Sequence, residues 1–219
     1  VPNQKYGFGR NAAFCICHPN KLRDAVTGKK LIDSDPGAGF FSSGSTYGIY
    51  IPASQRNLYT TGLNHSSPGL NNFLIVSKIY TTTLGSYNYI GNYNGSGAYD
   101  LMLYAYHSTY GSYGIFCNGN AYSSNYTITN YTNQKLAVAR IGGKLYFAAN
   151  GNLVATITCT DNITTSREEL GISTFQQGNG YGLVHGSIFE FFLVGQPTNI
   201  SVGDVVELSS NPYLSLSLA

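Results

Sequence analysis

The chain has 219 residues, an ordinary length for one sandwich or barrel, and 42% of them are hydrophobic, enough for a sizeable core and too many for global disorder. Only 10% are charged, against about a quarter in typical domains, and the net charge of +2 includes no basic run beyond Lys29-Lys30, which argues against nucleic acid as a partner. Asn, Ser, Thr, Gly and 19 Tyr carry the polarity instead, a neutral hydrogen-bonding surface suited to glycans or to neighbours in an assembly.

In chain order, residues 1–12 read as an arm or a first short strand, and "AAFCIC" (12–17) as a buried strand. A polar excursion follows, with turn chemistry at Pro19-Asn20 and Thr27-Gly28. A Gly-rich loop then leads into a strand through Tyr47, Ile49 and Ile51 that Pro52 closes. "NNFLIVSKIYTT" (71–82) is a central strand, with Phe73, Ile75, Ser77 and Ile79 on one face and Leu74, Val76, Lys78 and Tyr80 on the other. From Tyr87 to Tyr131 short β segments alternate with Gly/Asn/Ser turns, including "YDLMLYAYHS", "YGIFCN" and "NYTITNY". Asn150-Gly151 predicts a hairpin, because a type I′ turn needs φ > 0 at both central residues. Its flanks, 145–148 and 153–157, are apolar on both faces of the pleat and predict strands interior to a larger assembly. "GSIFEFFLVG" adds a further strand. A short helix closes the chain: Ser201 and Asp204 have capping-box spacing, Val202, Val205, Val206 and Ser209 line one side, and Asn211-Pro212 stops it. The pattern is that of a single all-β domain over 1–219, a two-sheet antiparallel sandwich with one short C-terminal helix.

Four cysteines stand in a chain too large to need disulfide staples. Cys15 and Cys17 share a strand face and read as ordinary strand residues; a metal site with His18 lacks a second ligand pair, and disulfides through Cys117 or Cys159 stay open. No apolar run reaches membrane-spanning length, so no membrane insertion is expected. The chain begins at Val1 and is read as a processed protein or an excised piece. Six N-x-S/T sequons follow from an Asn/Ser/Thr-rich composition and matter only in a glycosylating host.

The segments "KLAVARIGGKLYFAANGNLVATIT", "GLVHGSIFEFFLVG" (182–195) and "TNISVGDVVELSSNPY" (198–213), with "NFLIVSKIYTTTL" upstream, resemble in order and pattern the concanavalin A-like, LamG-type jelly roll. The resemblance covers residues 71–213, and the "NPY" phrase is similar to that of bacteriophage virion members. The strand Trp residues common in that family are absent, with Tyr in their place. The resemblance implies a concanavalin A-like jelly-roll fold and carries no catalytic motif.

Some enzymes of that fold cleave glycosides with two carboxylates about 5–5.5 Å apart. Glu168, Glu169, Glu190 and Glu207 have no acidic partner two or four residues away on a strand, and Glu190 is a lone carboxylate in "SIFEFF", read as a structural or edge group. There is no G-x-S-x-G elbow, and His18, His65, His107 and His185 lie in separate segments. "QQGNGYG" (176–182) lacks the third glycine of a dinucleotide fingerprint and reads as a loop. Asp33, Asp35 and Asp161 have loop positions that would suit calcium, and an Asx-turn is the simpler reading for each. Glycan binding is a stronger reading, because aromatic rings stack on sugar faces while amides and hydroxyls bond their edges. In the Tyr/Asn/Gly-rich stretch after residue 85 the glycan contacts would be Tyr87, Tyr89, Tyr93, Asn94 and Tyr110; the plain alternative is that Tyr fills strand positions by β propensity.

The expected function is a non-enzymatic virion structural protein (capsid decoration, tail or fibre component) whose lectin-like jelly roll serves assembly and host-glycan binding. The alternative is a secreted, extracellular carbohydrate-binding module or adhesin domain. Homo-oligomerisation and other virion proteins are the expected partners. No cofactor is expected, with calcium the alternative.

Overall fold

A computed structural model describes residues 68–80, 101–104, 113–129, 131–164 and 194–214 with their side chains, and the backbone path of the remaining strands. The strands are β1 (Ala12–Ile16), β2 (Ile32–Asp33), β3 (Gly39–Ser43), β4 (Thr46–Ile51), β5 (Leu58–Thr61), β6 (Phe73–Tyr80), β7 (Tyr87–Tyr93) and β8 (Tyr99–Tyr106). They continue with β9 (Gly114–Cys117), β10 (Asn120–Ser123), β11 (Asn133–Ile141), β12 (Lys144–Ala149), β13 (Asn152–Thr158), β14 (Glu169–Ile172) and β15 (Ser187–Gly195). Helix α1 (Val202–Ser210) and a 3-10 turn (Pro212–Ser215) follow. The strands form an eight-stranded sheet, ordered β13-β12-β11-β6-β15-β4-β3 with β1 also on β15, and a seven-stranded sheet, ordered β10-β9-β8-β7-β14-β5-β2. The two-sheet antiparallel sandwich expected from the sequence is the fold observed.

Local chemistry closes the hairpins. Asn118-Gly119, Gly142-Gly143 and Asn150-Gly151 all have positive φ at both central positions, the requirement of a turn that matches strand twist. Strand periodicity then sorts side chains between layers. Phe73, Ile75 and Ile79 of β6, Leu136 and Val138 of β11, and Leu145 and Phe147 of β12 meet Leu101, Leu103, Ile115 and Cys117 of the opposite sheet in one buried cluster. Tyr113 crosses to Phe147 edge-to-face, with centroids 5.5 Å apart. Burying each of the larger apolar side chains contributes about 1.5–3 kcal/mol.

The alternate residues of the same strands, Leu74, Val76, Ala137, Ala139 and Ala148, face outward and are covered by Val205 and Leu208 of α1. The three alanines leave room for the helix to settle on the sheet. Its N-terminus carries the full capping box: Asp204 N–H donates to Ser201 Oγ, and Ser201 N–H donates to Asp204 Oδ2. At its other end Lys135 Nζ donates to the Ser210 carbonyl at 2.8 Å, a cation at the negative pole of the helix. On the outer face of the second sheet Met102, Tyr104 and Phe116 form a separate buried cluster. There Gly114 is required, because a Cβ would collide with the Tyr104 ring and the Tyr122 carbonyl.

Four sequence expectations change. The Gly-rich stretch before β4, read as a loop, contains strand β3, which pairs with β4. The strand β13, expected inside the sheet, forms its edge, and Leu153 is 45% exposed, because no further strand pairs beyond it in the sheet order. Residues 125–129 of "NYTITNY" are not a strand: Asn125 has φ 60, and the preceding Ser124 Oγ donates to the Tyr113 carbonyl while accepting from Tyr126 N–H, which replaces a regular ladder. On α1 the buried positions are Val205, Leu208 and Ser209, with Val202 and Val206 only half-buried, because the contact stripe runs through 205, 208 and 209.

Candidate functional site

One rim of the sandwich gathers polar groups from both sheets. Period-two alternation puts Arg140 on the inward face of β11, in line with Leu136 and Val138, where an apolar residue would be expected. Its side chain is 1% exposed. Nε and Nη2 donate to the Asn71 carbonyl (3.1 and 2.7 Å), Nη2 also to the Gly69 carbonyl, and Nη1 to the Asp161 carbonyl at 2.6 Å. The guanidinium carbon lies 5.2 Å from the Phe73 ring centroid. This fork binds the loop before β6 to the segment after β13.

A two-way bridge reinforces the tie, with Gly69 N–H donating to Ile163 O at 2.8 Å and Ile163 N–H to Gly69 O at 3.0 Å. Gly69 has φ +62, a conformation that L side chains rarely adopt. The loop is further pinned by Asn71 N–H to Pro68 O (2.9 Å) and by Gly142 N–H to Asn72 Oδ1 (3.2 Å).

Asp161 links the rim to the second sheet. Its Oδ2 accepts from Tyr122 O–H at 2.8 Å and from Asn120 Nδ2 at 3.1 Å. Burial, and then the hydrogen bond to that carboxylate, hold the Tyr122 phenol neutral well above its ordinary range. Beside it stand the thiols of Cys117 and Cys159, 0% and 1% exposed. Interaction between the two thiols, with burial, raises the Cys117 pKa well above its ordinary value, and the same interaction lowers that of Cys159 to about 6. The Asp161 backbone N–H and Tyr122 also favour the Cys159 thiolate, against the opposing effect of burial.

Against this frame the loop and the end of β15 enclose an open depression of about 490 Å³, lined by Leu70, Asn71, Asn72, Gln196, Pro197 and Thr198. That volume lies within the roughly 300–1,000 Å³ range of small-molecule sites. Leu70, 69% exposed, forms an apolar lip, and amides supply donors and acceptors around it. A patch of that make-up can lie against the C–H face of a sugar while amides bond its hydroxyls.

The sequence-predicted contacts lie elsewhere. Tyr87, Tyr89 and Tyr93 fall in β7, in the second sheet, with Tyr87 opposite Tyr106, Tyr93 opposite Tyr99 and Tyr89 at a register shift. Their side chains, and the whole of Asn94 and Tyr110, lie outside the described residues. Glu190 is the unpaired residue of a bulge in β15. Glu169 is in β14 and Asp33 in β2, while Glu168, Asp35 and the four histidines lie outside the described residues. Asp161, weighed for calcium, gives its carboxylate to Tyr122 and Asn120 and its carbonyl to a guanidinium, so a dication there would meet a like charge. The rim was missed because it is assembled across long sequence separations. The one local signal was an arginine at an inward position of "KLAVARIGG".

No family model matches the sequence, and no curated protein does either. Solved structures do match in fold. The chain is similar to domain 4 of AbnA, a GH43 extracellular arabinanase from Geobacillus stearothermophilus, in complex with arabinotriose: TM-score 0.72, 9% identity, 91% of this chain and 98% of that one. It is also similar to a botulinum neurotoxin type C chain, from a toxin whose cell entry depends on two ganglioside molecules (TM-score 0.58, 14% identity, 92% of this chain, 51% of that one). A third is Trypanosoma rangeli sialidase in complex with 2,3-difluoro-KDN (TM-score 0.63, 7% identity, 94% of this chain, 33% of that one). The chain thus spans nearly all of the arabinanase domain, about half of the toxin chain and a third of the sialidase. At these identities the likeness is one of fold, a β-sandwich of jelly-roll type.

Proposed function

We propose that this chain is a non-catalytic carbohydrate-binding domain that receives a saccharide in the depression between residues 70–72 and 196–198. The observation that carries the reading is the end-to-end match in fold with a domain whose structure holds arabinotriose. The depression adds the chemistry, with an apolar lip at Leu70, amides of Asn71 and Asn72 on an arginine-braced loop, and the amide of Gln196 just after β15. A rigid loop limits the ordering entropy that binding must overcome. Tyr87, Tyr89 and Tyr93 of β7, with Asn94 and Tyr110, remain the second set of glycan contacts under this proposal.

The test is a glycan array that includes arabino-oligosaccharides, gangliosides and sialylated glycans, followed by calorimetric titration. Asn71→Ala and Gln196→Ala should each weaken binding by about three- to tenfold, the effect of one lost hydrogen bond of roughly 0.5–1.5 kcal/mol. Absence of binding to every glycan class at millimolar concentration would retire the proposal. Loss confined to a Tyr89→Ala or Tyr93→Ala variant would move the site to β7.

A second reading places the domain in a virion, as a decoration, tail or fibre component that forms homo-oligomers and meets host glycans. It is favoured by the 10% charge content and by the "NPY" phrase, which folds here as the C-cap of α1 and the start of a 3-10 turn, with Tyr213 packed on the outer cluster. Size-exclusion chromatography with light scattering separates the two, since a stable monomer counts against assembly.

A further inference from the structure

We propose that Cys117 and Cys159 are a disulfide site, joined in an oxidising medium to staple β9 of the seven-stranded sheet to the segment leaving β13 of the eight-stranded one. The pairing rests on geometry. Cys117 is the register partner of Asn120, whose amide reaches Asp161, and Asp161 lies two residues beyond Cys159. Tyr122 of the same hairpin makes a second bond to that carboxylate, so the β9–β10 hairpin and the 159–161 segment are held face to face. Cys159 is fixed on its own side by its N–H donating to Gly143 O at 2.8 Å. Both thiols are free, and both belong to the same buried cluster.

The chemistry balances with an exchangeable small-molecule disulfide, such as oxidised glutathione, as oxidant. The Cys159 thiolate, favoured by the Cys117 donor and the Asp161 N–H, attacks one sulfur of the oxidant and expels the first small thiolate. Cys117 then gives up its proton, attacks the Cys159 sulfur of the mixed disulfide and expels the second. Two protein thiols and one small disulfide become one protein disulfide and two small thiols, which carry away the two electrons. Because both cysteines are buried, exchange proceeds while the rim is open, before the sheets close or during local unfolding. The bond would place a covalent strut directly behind Asp161, and through its carbonyl behind Arg140 and the loop that frames the depression.

The test equilibrates the full chain in glutathione buffers from fully reduced to fully oxidised, quenches with acid, alkylates free thiols in denaturant and maps peptides without reduction. The expected result is a Cys117–Cys159 linked peptide pair in the oxidised samples, lost on reduction, with a melting temperature roughly 5–10 °C higher when linked. That rise should be absent from the Cys117→Ala/Cys159→Ala variant, while the mapping itself needs no variant. Full alkylation of both residues at every redox ratio, or linkage of either to Cys15 or Cys17, would overturn the assignment. A bond that forms without raising the melting temperature would overturn its stapling role.

Discussion

Replacing Arg140 with Leu removes four hydrogen bonds to three backbone carbonyls while leaving an apolar stem in the core. The Gly69 carbonyl would keep the Ile163 N–H, but if those of Asn71 and Asp161 stayed dry and unpaired, each would cost about 1–3 kcal/mol. The sum would exceed what it takes to open the loop, so the loop should open instead. Opening sacrifices the two bridge bonds between Gly69 and Ile163, at about 0.5–1.5 kcal/mol each, and the substitution itself removes the cation contact with Phe73, at about 0.5–2 kcal/mol. The expected loss is therefore about 1.5–5 kcal/mol, or a fall in melting temperature of roughly 3–20 °C for a chain of this size. Urea denaturation measures the loss, and amide hydrogen exchange locates it: the N–H groups of Gly69 and Ile163 should lose protection together. Arg140→Lys should recover only part, because one ammonium cannot span three carbonyls that a planar fork reaches at once. A Leu variant with parental urea midpoint and parental protection at both amides would refute the argument that this guanidinium holds the rim.

Leu208→Ala empties a fully buried position between α1 and the sheet and should cost about 2–5 kcal/mol by urea denaturation; a change under about 0.5 kcal/mol would mean that the helix is not anchored there. In the reduced protein, thiolate absorbance at about 240 nm should begin to rise near pH 6, because the Cys117 donor lowers the Cys159 pKa to about 6 from the ordinary 9. A lowered folded-state pKa makes the ionised form's contribution complete above pH 9 and lost as pH falls through 6. Stability of the reduced protein should therefore climb between those values, before the raised pKa of Cys117 opposes it at higher pH. In Cys117→Ala the donor is gone, and the rise in both signals should move towards pH 9; the same curve in both proteins would exclude the thiol pair as its cause.

Much of the sandwich was legible from adjacent residues. The alternation of β6 put Phe73, Ile75 and Ile79 on one face and Leu74 and Val76 on the other, as found; that the first face meets the opposite sheet and the second the helix came from the fold. The Asn150-Gly151 turn was read from two residues; Asn118-Gly119 carried the same signal and closes β9 to β10 in the same way. Where the reading failed, a distant partner decided. The apolar pattern of 153–157 matches an interior strand and an edge strand equally well, since period two says nothing about what lies beside the strand. The rim was illegible for the same reason: Arg140 meets carbonyls 69 and 71 positions away, and Asn120 meets Asp161 across 41.

Sequence alone fixed what depends on neighbouring dihedrals and on the alternation of side chains: the hairpin turn at Asn150-Gly151, the two faces of β6, and the capped start of α1 at Ser201. Tertiary structure decided the sheet order that inserts β6 between β11 and β15, the descent of a guanidinium into the end of the core, and the meeting of Cys117 with Cys159. Backbone torsions are set by a few consecutive residues, whereas strand order is chosen by the burial of the whole apolar surface at once, so groups far apart in the chain become neighbours only after the layers have closed.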